Sequence, residues 1–127
     1  MAKDNSVSQN SNDIPMLSCR GIWKVFGAER SKFEQSGGSD MTAEELLSRG
    51  WTAAVRDASF DVARGEVFVI MGLSGSGKST VVRCLSRLIE PTSGQVDVEG
   101  QDLLAANEAQ LLDIRRQKMG MVFQHFA

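Results

Sequence analysis

One histidine, two cysteines and no surplus of positive charge set the first limits on this 127-residue sequence. A lone His125 with Cys19 and Cys84, and no C-x-x-C pair, does not make the clustered ligand set of a structural metal site. The two cysteines read instead as reduced, buried thiols. Lys and Arg number 14 against 16 Asp and Glu, a formal net charge of -2, so no strongly basic face is expected and no nucleic acid partner. No apolar run approaches the ~20 residues that cross a bilayer. The opening "MAKDNSVSQNSNDIP" lacks the apolar core of a signal peptide. The expectation is a cytoplasmic chain that meets a membrane only through a partner. A hydrophobic fraction of 42% and a charged fraction of 24% are those of an ordinary globular protein long enough for one core.

What is present alternates in period. Residues 1–15 are rich in Ser, Asn and Asp and read as a disordered lead-in. "MLSCRGIWKVF" (16–26) predicts a strand. Residues 27–51 change character: "GAERSKFEQSGGSD" predicts loop or weak helix, and "MTAEELLSRG" a short helix with Thr42 as cap, Glu45 completing a capping box and Gly50 ending it. "TAAVRDASFDV" (52–62) alternates as a half-buried strand does, and "ARGE" (63–66) is a turn. "VFVIM" (67–71) is uninterrupted and apolar, the pattern of a fully buried parallel strand. Val81, Leu85, Leu88 and Ile89 then fall on one helical stripe that Pro91 should stop. "GQVDVEG" (94–100) predicts a short strand. Asn107 and Gln110 suit the cap and third position of a helix through "EAQLLDIRRQK", and "MGMVF" (119–123) predicts a last apolar strand. Strands interleaved with helices mean an α/β fold with a more antiparallel start.

The chemistry concentrates in "GLSGSGKS" (72–79), which fits G-x-x-x-x-G-K-[ST] and is followed by Thr80. Gly72, Gly75 and Gly77 permit backbone angles and close approach that a Cβ forbids. With Leu73, Ser74 and Ser76 they form a loop whose N–H groups can wrap a phosphate chain. The loop ends at a helix N-terminus, where unpaired N–H groups and the helix dipole favour an anion. Lys78 can reach the β- and γ-phosphates, and the Ser79 hydroxyl can ligate Mg²⁺. An apolar strand before the loop and an amphipathic helix after it are the context that separates this motif from a chance glycine turn.

Around the loop, "RLIEPTSGQVDVEGQDL" and "RRQKMGMVFQHFA" resemble the ATP-binding subunits of ABC transporters. Taken with "IWKVFG", the acidic helical insertion and "GEVFVIMGLSGSGKST", the resemblance is closest to the subunits that power import of glycine betaine and L-proline, and it extends from about Met16 onward. It implies a P-loop NTPase fold, with an antiparallel β piece and an incomplete RecA-like core. It divides the chain into the lead-in 1–15 and a cassette part 16–127, with 27–51 an insertion, 72–80 the Walker A loop and 119–127 the Q-loop region. It implies ATP and Mg²⁺ as ligands, with Gln124 at the Mg²⁺ or the attacking water. It implies an aromatic at the end of the first strand that stacks on adenine: Phe26 by the K-x-aromatic-G pattern, with Trp23 the alternative. The implied partners are a transmembrane permease subunit, a second copy of the ATP-binding subunit and, indirectly, a substrate-binding protein. The implied place is the cytoplasmic face of the cell membrane.

His125 beside Gln124 reads as a solvated loop residue, because the family's switch histidine belongs to later sequence. Arg115, Arg116 and Lys118 read as a solvated helix end that suits the dipole. The family's Asp-Glu strand end and "LSGGQ"-like signature are not in this sequence either. The resemblance therefore leads to the expectation of a partial or truncated product without a complete catalytic set, inactive by itself. Nothing in such an ATPase touches cargo, so choline or an amino acid stands as an alternative to a quaternary amine. A non-catalytic remnant stands as the alternative of a different class. A P-loop nucleotide kinase does not account for "MVFQ" or for the early antiparallel strands.

Overall fold

The computed structural model of the chain describes residues 14–72 and 77–122. Its centre is β1 (Leu17–Phe26), which pairs antiparallel with β2 (Thr52–Val62) on one side and β3 (Ser93–Val98) on the other. The short β4 (Gln101–Asp102) closes the sheet in the order β2-β1-β3-β4. Leu17 lies opposite both Val62 and Val98, and Phe26 lies opposite Thr52.

The β1–β2 register slips between Cys19 and Ile22, where Gly21 takes φ +57°. A strict period of two would put Cys19 and Trp23 on one face. The bulge moves the register by one residue, so Cys19 and Ile22 enter one core while Trp23 and Val25 enter a second. The first core lies between the sheet and the helices α3 (Lys78–Leu85) and α4 (Glu108–Lys118), with Phe60, Val81, Cys84, Val96 and Ile114 at its heart. The second is small. In it Trp23, Val25, Phe33 and Leu46 bury against α1 (Arg30–Gln35) and α2 (Ala43–Ser48), and the Trp23 and Phe33 ring centroids are 5.3 Å apart. Residues 27–51 thus fold on the outside of the sheet around their own apolar cluster.

Local capping follows the residue types. Thr42 accepts from the Glu45 N–H at 3.1 Å while the Glu45 carboxylate accepts from the Thr42 N–H at 3.0 Å. Asn107 and Gln110 exchange the same pair of bonds at the start of α4, at 2.8 and 3.0 Å. Thr92 of the "PTSG" turn is buried, and its hydroxyl accepts from the Val25 N–H at 2.8 Å. Its own N–H donates to the Trp23 carbonyl at 2.8 Å, which continues the β1–β3 ladder into the turn. Cys19 and Cys84 are free and fully buried. Burial, reinforced by the nearby Asp61 charge, pushes the Cys19 thiol up to about 12, and burial raises Cys84 as well.

Three expectations are corrected. Residues 67–71 are not a buried parallel strand: they belong to none of the strands among the described residues, and side chains alternate between solvent and core. Phe68 stacks on Phe60 at 4.6 Å and Ile70 packs on the first core, while Val67, Val69 and Met71 are 87%, 67% and 81% exposed. Residues 119–122 likewise form no strand, and Val122 is exposed; Phe123 lies outside the described residues. The helix after the loop ends at Leu85 rather than at Pro91. Arg87 takes a left-handed φ of +58°, which breaks the helix early and leaves Leu88 about half exposed. The lead-in expected at 1–15 lies outside the described residues except for Ile14 and Pro15.

Candidate functional site: the P-loop end of α3

Gly77 caps α3 in the left-handed region, at φ +91°. A Cβ there would run into the Ala54 carbonyl, so only glycine lets the loop lie this close to β2. Lys78 opens the helix, and its ammonium donates back to the Gly72 carbonyl, bridging the two described ends of the loop. Ser79 is exposed in the first turn and Thr80 follows it half-buried. No acidic side chain occupies that first turn, so the positive end of the helix dipole is uncompensated.

Gly72, Gly77 and Lys78 line a cavity of about 470 Å³ with Ile70, Met71, Val81 and residues 54–59 of β2. The structure thus brings the flanks of the glycine-rich loop together at the head of α3. Leu73, Ser74, Gly75, Ser76, Gln124 and His125 lie outside the described residues. The β2 wall, with Arg56 and Asp57, could not be read from the loop motif. Its one signal is the requirement for glycine at position 77, which makes sense only against a close backbone.

The two candidate aromatics are sorted by the β1 bulge. Trp23 is 6% exposed, with Phe33 against it and the Arg56 guanidinium 5.4 Å from its ring centroid. Phe26 is 45% exposed at the end of β1, with the Lys24 ammonium 5.1 Å from its ring centroid. Phe26 does not line the cavity that Lys78 shares.

The basic end of α4 is solvated at Arg116 and Lys118, as its sequence suggests, but not at Arg115. Arg115 is half-buried and donates to the carbonyls of Ser86 and Arg87 at 3.3 and 2.9 Å. Lys118 pairs with Glu99 at 3.0 Å, and Arg64 reaches the other oxygen of the same carboxylate at 2.8 Å. Hydrogen bonds from Lys118 and then Arg64 hold Glu99 below the usual carboxylate range. Of the three, Arg116 and Lys118 are exposed.

No group of three or more His, Cys, Asp or Glu among the described residues could hold a metal ion. Among the described residues of the loop, the Ser79 hydroxyl is the side chain that could join phosphate oxygens around a divalent ion. That suits Mg²⁺, which keeps most of its shell as water and substrate oxygens. None of the described helices is long and apolar enough to cross a membrane.

A glycine-rich loop feeding a helix N-terminus, with its lysine folded back across the loop and an antiparallel sheet at its side, defines a P-loop NTPase fold. Residues 55–127 match the family described as ABC transporter. Over 113 residues the chain is 46% identical to the trimethylamine N-oxide transport system ATP-binding protein TmoW of Pelagibacter ubique, covering 89% of this chain and 33% of that protein. It is 46% identical over 112 residues to the glycine betaine/proline betaine transport system ATP-binding protein ProV of Escherichia coli, covering 87% of this chain and 28% of that one. Among solved structures, the dimeric post-hydrolysis state of an ATP-binding cassette bound to ADP and Pi superposes with a TM-score of 0.63 at 28% identity, covering 86% of this chain and 39% of that one. The chain belongs to the ABC transporter family. It spans about a third or less of the length of these curated relatives.

Proposed function

We propose that the protein carrying these residues is the ATP-binding and ATP-hydrolysing subunit of an importer for glycine betaine, L-proline or a related quaternary amine. The observation that carries the reading is the head of α3, where Lys78 spans the loop to Gly72 with Ser79 exposed beside it. ATP phosphates would replace the Gly72 carbonyl as the partner of Lys78. The loop N–H groups and the uncompensated helix dipole would hold their charge. Water attacks the γ-phosphorus in line and ADP leaves, so catalysis is chiefly electrostatic and positional. Mg²⁺, held by the phosphates, Ser79 and Gln124, would neutralise charge on the β- and γ-oxygens. Phe26 is the aromatic assigned to stack on adenine, because Trp23 has its face committed to the second core.

The cargo reading rests on relatives whose names specify small methylated amines and which match nearly nine-tenths of the chain, the insertion 27–51 included. A second copy of the subunit and a pair of permease subunits at the cytoplasmic face of the membrane are the partners this implies. They would convert closing and reopening of the dimer into transport, with a substrate-binding protein delivering cargo.

The test is transport of labelled glycine betaine, with ATP turnover measured in parallel, by the protein expressed from its own gene together with its permease. Lys78→Ala should lower ATP turnover by about two orders of magnitude or more, the scale of losing one stabiliser of transition-state charge. Near-normal turnover in that variant removes the phosphate role of Lys78. Full turnover that glycine betaine import does not follow removes the cargo.

A further inference from the structure

The helix that carries Lys78 and Ser79 is tied at its other end by a pair of arginines. Arg87, just past α3, donates through one guanidinium nitrogen to the Leu103 and Ala106 carbonyls, at 3.2 and 2.8 Å. They lie four and one residues before Asn107, the cap of α4. Arg115, near the far end of α4, donates in return to the Ser86 and Arg87 carbonyls at 3.3 and 2.9 Å. Each arginine thus binds backbone at the other's element. The last carbonyls of α3 are taken up by the N–H groups of the turn that follows it, and the carbonyls of that turn, at Ser86 and Arg87, are filled from α4. A guanidinium suits the task because its planar fork can serve two acceptors at once and its charge complements the negative end of a helix dipole.

The brace is not incidental to packing. Arg87 accepts a left-handed φ of +58°, unfavourable for a residue with a Cβ, and its side chain is 21% exposed. Glu90 accepts from its Nε at 3.0 Å and holds the fork in place. The helices share apolar contact lower down, through Val81, Cys84, Leu111 and Ile114. Toward the end of α4 that contact gives way to a cavity of about 470 Å³ bordered by Val82, Leu85, Leu88 and Met119 as well as Arg115. At that end the arginine bonds, not close-packed side chains, set the spacing of the two helices. In the sequence α4 runs directly into 119–122 and then Gln124.

We propose that Arg87 and Arg115 are positioning residues that lock α4 to the P-loop helix, so that nucleotide at the head of α3 orders α4 and the segment following it. The proposal rests on the reading of this loop as a nucleotide site. It adds a mechanical link between that site and α4 which the loop motif does not contain. Energy passes only if the two elements move as one body, and four charge-assisted bonds between the turn that ends α3 and the approach to and body of α4 are what make them one.

The experiment is backbone amide exchange in the protein expressed from its own gene, with and without MgADP, alongside ADP affinity, ATP turnover and melting temperature. In the wild type MgADP should slow exchange in both α3 and α4. In Arg115→Met and in Arg87→Met the slowing should remain in α3 and be lost from α4. ADP affinity should stay within about threefold, because the loop is untouched, while kcat falls by ~10- to 100-fold, the range a misplaced catalytic group costs. Arg115→Lys can reach one carbonyl and should restore part of the α4 protection. It also serves if the methionine variants fail to fold: an Arg115→Lys protein with full wild-type protection and turnover overturns the proposal. So do methionine variants whose α4 still responds to MgADP, or whose affinity and kcat fall together in step with melting temperature. A wild type that binds MgADP, with α4 indifferent to it, overturns the brace and leaves the nucleotide site standing. A wild type that does not bind MgADP overturns both.

Discussion

Phe26 and Trp23 stand three residues apart on one strand and differ in what the bulge at Gly21 does to them. The bulge turns Trp23 into the second core and leaves Phe26 half exposed at the strand end, with the Lys24 ammonium over its ring. Aromatic–base stacking is worth ~1–3 kcal/mol per base. Phe26→Ala in the complete protein should therefore weaken ATP binding by about that amount, and Phe26→Trp should be tolerated. Trp23→Ala should act differently, lowering the melting temperature through a cavity beside Phe33 with little effect on nucleotide affinity beyond that. Calorimetric titration of ATP into both variants checks this, and the reverse pattern would move the adenine site to Trp23. The K-x-aromatic-G spacing pointed to Phe26, but the bulge that makes Trp23 unavailable was not legible in any residue pattern. A glycine in a strand signals a possible register change without saying which neighbour turns inward.

At the scale of the element, capping chemistry was the most legible feature. Thr42 with Glu45 and Asn107 with Gln110 form the reciprocal bonds their spacing requires, because those bonds depend only on residues three apart. Strands β1, β2 and β3 were legible from alternation for the same local reason. The failures are elements whose state depends on distant partners. An apolar run such as 67–71 reads equally as a buried strand or as a strand without neighbours, and only the tertiary arrangement distinguishes them. The early end of α3 depends on the Arg87 conformation, which carbonyls from another part of the chain help to hold. The same holds for Arg115, whose acceptors lie 28 and 29 positions away. Asn107→Ala should remove one half of the α4 capping box and cost about 1 kcal/mol of stability. Because Ala106, an Arg87 acceptor, directly precedes the cap, a frayed start of α4 also disturbs the brace. Urea denaturation of the complete protein should show a lower midpoint with an unchanged slope, and Asn107→Asp should largely recover it.

For the molecule as a whole, the distribution of apolar surface decides what this chain can do by itself. The antiparallel sheet is paired on both sides of β1 and carries two cores, so that part has the ingredients of a stable unit. Beside it, Val67, Val69, Met71 and Val122 are turned to solvent, and 67–71 join no sheet among the described residues. Such a segment is a template for pairing with another copy. It also leads directly into the glycine-rich loop, and Phe68 and Ile70 pack it against the core. A phosphate grip needs fixed N–H groups, and so a strand with neighbours ahead of the loop. The 127-residue polypeptide expressed alone should therefore associate through this edge, unfold without a sharp transition and show no steady ATP turnover. Net stabilities of domains are only ~5–15 kcal/mol, a margin that unpaired backbone and uncovered apolar side chains can remove. Size-exclusion chromatography with light scattering, thermal melts and phosphate release would check this. Charged substitutions that blunt the edge, Val67→Lys with Val69→Lys, should shift the population toward monomer without restoring turnover. A soluble monomer with a cooperative melt from the unmodified chain overturns the stability argument, and ATP turnover abolished by Lys78→Ala overturns the claim that the loop needs a paired strand.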